Sequence, residues 1–97
     1  MKNYQFDLIR STYSAHDAQE ALLSLINDKI RFLNCKIFSL EERFGSDTVH
    51  LKERIEELKI EKKRMMEILD AYESDDYQIE ICCPVSMKIK ENATELA

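Results

Sequence analysis

Residues 77–90 read YQIEICCPVSMKIK, and apolar and polar positions alternate along them without a break. Tyr77, Ile79, Ile81, Cys83, Val85, Met87 and Ile89 share one phase; Gln78, Glu80, Cys82, Pro84, Ser86, Lys88 and Lys90 share the other. Period two sustained this far predicts a strand with one apolar face about 40 Å long. Pro84 lacks an N–H, which places it on an edge strand or at a bulge, and its polar phase leaves the alternation intact. A shorter alternation opens the chain. In YQFDLIRSTY, residues 4–13, Tyr4, Phe6 and Leu8 oppose Gln5 and Asp7, and the aromatic and β-branched content predicts a first strand. By phase alone it matches only part of the second strand, so partial pairing is expected.

Between the strands the period changes to that of a helix. Ser14 precedes AHDAQEALL and Asp17 follows three residues later, a capping-box pattern that predicts a helix over about 15–44. Leu22, Ile26, Ile30, Leu33, Ile37, Leu40 and Phe44 form one stripe along it. Leu23, Leu25, Phe32 and Phe38 widen that stripe, so this helix is expected to touch more than one neighbour. Gly45 suits a left-handed cap, and Ser46, Asp47 or Thr48 can open the next helix, over about 48–73. There Leu51, Ile55, Leu58, Lys62, Met65, Leu69 and Tyr72 make a heptad seam with Lys62 as its polar position. Glu56 with Lys59, and Glu61 with Arg64, are surface pairs one turn apart. A short loop between long helices makes them antiparallel. Residues 74–76, SDD, form a turn, and 91–97 carry no pattern and are expected to fray.

The predicted order is β-α-α-β in a single α+β domain over 1–97: a coiled-coil-like helical hairpin whose terminal strands form a small sheet. Two strands alone are marginal in water, and a 97-residue chain has a modest core. A sheet completed in a homodimer is therefore expected.

Composition narrows the function. Charged residues make up 34% and hydrophobic ones 44%, with one Gly and one Pro, as suits long regular helices. The net charge of −5 gives no electrostatic pull toward nucleic acid or anionic lipid. No apolar run reaches the roughly 18–20 residues a bilayer requires. MKNYQFDLIR lacks the apolar segment of a secretory signal, which makes the NAT sequon at 92–94 uninformative. Three cysteines cannot close a disulfide framework, and a cytoplasmic protein with reduced thiols is expected.

Candidate chemistry is sparse. Cys82 and Cys83 are adjacent and point to opposite faces of a strand, whereas zinc and redox sites use separated pairs such as C-x₂-C. They read as strand residues, and Cys35 as a small packing residue. His16 and Glu20 lie one turn apart, but two ligands do not make a metal site; His50 reads likewise as a solvated residue. No catalytic triad, phosphate loop, cofactor site or metal site is expected. Lys59, Lys62, Lys63 and Arg64 are the candidates for nucleic-acid contact, diluted by Glu56, Glu57, Glu61 and Glu67. What the chain has in excess is apolar surface. The function expected is that of a non-enzymatic cytoplasmic interaction, regulatory or adaptor protein that self-associates, with Ile79, Ile81, Val85, Met87, Ile89, Phe32 and Phe38 as interface candidates. The alternative is a nucleic-acid-associated regulator using the basic part of the second helix.

Overall fold

This computed structural model describes residues 2–45 and 47–91, with Phe44 given by its backbone alone. The elements are β1 (Lys2–Tyr13), α1 (Ala15–Phe44), α2 (Val49–Ala71) and β2 (Ile79–Ile89), which is the β-α-α-β order of an α+β helical hairpin. Residues 92–97, with the sequon at 92–94, and Ser46 lie outside the described residues.

The local signals that open and close α1 work as their chemistry dictates. Ser14 Oγ accepts from the Asp17 N–H at 3.1 Å, satisfying one of the donors that a helix start leaves free. At the other end Gly45 takes φ +59° and donates its N–H to the Glu41 carbonyl at 3.3 Å. The start of α2 is built differently from a simple cap. Thr48 is the residue before the helix, but its side chain makes no capping bond. Asp47 Oδ1 accepts from the Val49 N–H instead, at 3.0 Å. The Thr48 side chain is buried, and a buried hydroxyl requires a partner. It donates to Glu41 Oε2 at 2.6 Å, and Lys52 Nζ reaches the same oxygen at 3.0 Å.

This clamp ties the last turn of α1 to the first turns of α2. The Thr48 hydrogen bond, followed by the contact with Lys52, holds the Glu41 carboxyl below the ordinary glutamate value of 4.5. A carboxyl depressed in the native state stabilises the fold above its unfolded pKa and loses that contribution as pH falls through the native value. The stability advantage of wild type over Glu41→Gln is therefore expected to be full above pH 4.5 and to shrink below it. Thermal melts of both proteins across the acid range measure this; a gap constant with pH would contradict the clamp.

The hairpin core has two clusters. Leu33, Ile37 and Ile55 form one, with Ile30, Leu51 and Leu58 around them. Ala18, Leu69 and Ile81 form the other, joined by Ile9, Tyr13, Leu22, Met65 and Ile79, so this second cluster also receives the sheet. Between them Lys62 Nζ donates to Asn27 Oδ1 at 2.8 Å. This exposed polar pair bridges the two helices at the edge of the seam.

After α2 the chain turns through Ser74–Asp76, with the Tyr72 and Tyr77 rings packed edge to face at 5.0 Å. Tyr77 donates its N–H to the Ser74 carbonyl, which assigns it to the turn; β2 therefore begins at Ile79, two residues after the start that alternation suggests. β1 and β2 pair antiparallel from Lys2↔Ile89 to Tyr13↔Ile79. This corrects the expectation of partial pairing. Asp7 pairs with Pro84 and Ile9 with Cys83, leaving Leu8 as one extra residue. That bulge lies where Pro84 cannot donate to the ladder, and it shifts the phase of β1 by one. Tyr4 and Phe6 before it, and Ile9 and Tyr13 after it, then all fall on the apolar side of β2.

Candidate functional site

The sheet is a two-stranded ribbon, and the helices cover only its base. Ile79 and Ile81 belong to the core cluster with Ala18 and Leu69, and Ile81 is only 8% exposed. The apolar side of these two interface candidates packs against the chain's own helices. Beyond them the same face runs out over solvent. Val85 is half-buried opposite Phe6, while Met87 is 43% exposed opposite Tyr4, which is 53% exposed. Ile89, at the tip opposite Lys2, is 57% exposed. The Tyr4 and Phe6 rings lie 5.7 Å apart on this face.

Tyr4 and Phe6 stand in the same exposed apolar row and were not among the candidates drawn from the sequence. Their signal was present in the first alternation, but joining them to Met87 and Val85 required the register, and the register depends on the bulge. On the opposite face the pairs are polar. Asn3 opposes Lys88, and Gln5 opposes Ser86 with a side-chain hydrogen bond of 3.4 Å. Arg10 and Asp7 pair at 3.3 Å on the same side.

Phe32 and Phe38 are both exposed on α1, but six positions apart they do not share a face with each other or with the ribbon tip. Lys29 Nζ lies 5.3 Å over the Phe32 ring. The widened stripe of α1 does meet more than one neighbour, since both strands reach its first turns, but among the described residues no third element covers the side of its middle turned away from α2. Cys35 is exposed there for the same reason, in a groove with Phe32, Lys36, Ser39 and Leu40, which corrects its reading as a packing residue. Cys82 is exposed on the polar side of β2, and Cys83 is half-buried opposite Ile9.

The basic candidates of α2 are interleaved with acids. Lys59 pairs with Glu56 at 3.3 Å, Arg64 with Glu61 at 3.2 Å, and Lys62 is engaged by Asn27. Lys59, Lys62 and Lys63 line one surface groove with Met66, Glu67 and Asp70, and the two acids oppose the field a phosphate backbone would need. His16 Nε2 contacts Glu20 Oε1 at 3.1 Å in an exposed group with Asp17, and His50 is exposed at the start of α2. Among the described residues, no helix is long and apolar enough to cross a membrane.

The class defined by these features is a helical hairpin that carries a terminal β-ribbon, apolar along one side and covered over only half of it. Compared with known protein families, curated proteins and solved structures, the chain matches none.

Proposed function

We propose that this chain is a non-enzymatic interaction or adaptor protein that docks another protein chain through the outer half of its ribbon. The observation that carries the reading is the uncovered row formed by Tyr4, Phe6, Met87 and Ile89. A contiguous apolar face backed by polar pairs on its reverse is what a docking surface requires. The surface contact of His16 with Glu20 accounts for those side chains without assigning them a reaction. The protein would work in the cytoplasm, where its free cysteines stay reduced.

Site-specific photocrosslinking in the native cell tests the reading. A photoreactive side chain in place of Met87 is expected to form an adduct with a protein chain. The same group in place of Gln5, on the polar side of the ribbon, is expected to give little. Equal adduct from the two positions, or none from Met87, would remove the ribbon from consideration as a docking surface.

A further inference from the structure

We infer that the chain docked on the ribbon is a second copy of this protein, packed apolar face to apolar face; the inference rests on the docking reading above. The shape of the protomer is the first argument. Its extents are 60 × 31 × 14 Å, and the thinnest is hardly more than the diameter of one helix, about 10–12 Å. Stable domains bury the apolar face of a sheet against a second layer, and the outer ribbon has none. Two strands without such a layer are marginal in water, so the outer ribbon gains from a cover that is available wherever the chain is made. A second copy meets that condition by being made with the first.

Charge and area agree with this occupant. Along the apolar side the alternation places no charged residue from Tyr4 to Tyr13 or from Ile79 to Ile89, and Lys2 stands alone at the tip. Two copies can therefore meet across this face without opposing like charges at its centre, as an isologous contact demands. Tyr4, Phe6, Met87 and Ile89 are 40% to 57% exposed. With Val85 they leave uncovered a patch on the order of 400 Å², the size of the largest patch on a typical monomer. Closing two such patches and their rims buries about 1,000 Å², the lower bound for a specific interface, so a weak and reversible dimer is expected. Each copy carries a net charge of −5, so the two repel at long range and added salt should tighten their association. A contact made by opposite charges would loosen instead.

Sedimentation equilibrium decides the matter, with wild type expected at twice its 11.5 kDa mass at high micromolar concentration. Met87→Lys and Ile89→Lys replace side chains that are exposed in the protomer, so each variant should keep its fold while the dissociation constant rises at least tenfold. Gln5→Lys on the reverse face and Phe38→Lys on α1 should sediment as wild type does. Far-UV dichroism with a cooperative melt identifies any variant that has failed to fold, and the other ribbon variant then stands in for it. A wild type that is monomeric throughout overturns the inference. So does a dimer that survives both Met87→Lys and Ile89→Lys, or one that is lost with Phe38→Lys. Crosslinking separates this failure from failure of the docking reading. An adduct from position 87 at the mass of a different protein leaves docking in place and removes the second copy, whereas no adduct removes both.

Discussion

Ile81→Lys is expected to abolish cooperative folding. Ile81 packs with Ala18 and Leu69 where the ribbon meets the hairpin, and it is only 8% exposed. Removing a buried isoleucine costs about 2–5 kcal/mol. A lysine in its place must either bury an unpaired ammonium or push the ribbon off the helices, which adds several kcal/mol more. The sum is comparable to the whole stability of a small domain, about 5–15 kcal/mol. Urea denaturation followed by dichroism should show a lost or strongly shifted transition. A midpoint equal to that of wild type would mean that Ile81 does not bind the ribbon to the helices. Met87, six residues along on the same phase of the same strand, is exposed, and its exchange for lysine should leave the protomer's stability within about 0.5 kcal/mol. The same substitution chemistry thus separates a core position from a surface position on one strand face.

The second large effect is expected at the loop end of the hairpin. Leu33 and Ile55 are 5% exposed and share one cluster with Ile37. Leu33→Ala and Ile55→Ala should each cost about 2–5 kcal/mol through lost burial and the cavity left behind. Because the two side chains share a cavity, their double variant should depart from additivity by roughly 0.5–3 kcal/mol. Leu58, on the same seam, is only partly buried, and Leu58→Ala should fall at the lower end of the single-site range. A denaturation series over these four variants checks the ranking. Additive costs at Leu33 and Ile55 would indicate that α1 and α2 do not enclose one cluster there.

The Ser14 cap, the Gly45 termination and the unbroken alternation of β2 could all be read from the chain, because each arises within a few residues of itself. A cap hydrogen bond spans three positions, and a strand's faces follow from period two. The heptad seam of α2 was legible for the same reason, down to Lys62 as its polar member. The candidate surface was legible only in part: Met87 and Ile89 are where the alternation put them, but Ile79 and Ile81 looked identical to them in sequence.

What separates these residues is how far the hairpin's end reaches along the ribbon, which no local pattern encodes. The Leu8 bulge is decided in the same way, by Pro84 on the other strand, and through it the chain brings Tyr4 and Phe6 onto the apolar side. Cys35 is exposed because no third element covers the middle of α1. Thr48 turns from capping α2 to donating to Glu41, because burial in the loop makes that oxygen its nearest acceptor. The sequence by itself determined which faces are apolar and where each element begins and ends to within a few residues, since those properties are set by short-range sterics and hydrogen bonding. Only the tertiary structure decided which part of each apolar face is covered, because burial depends on where distant segments of the chain come to rest.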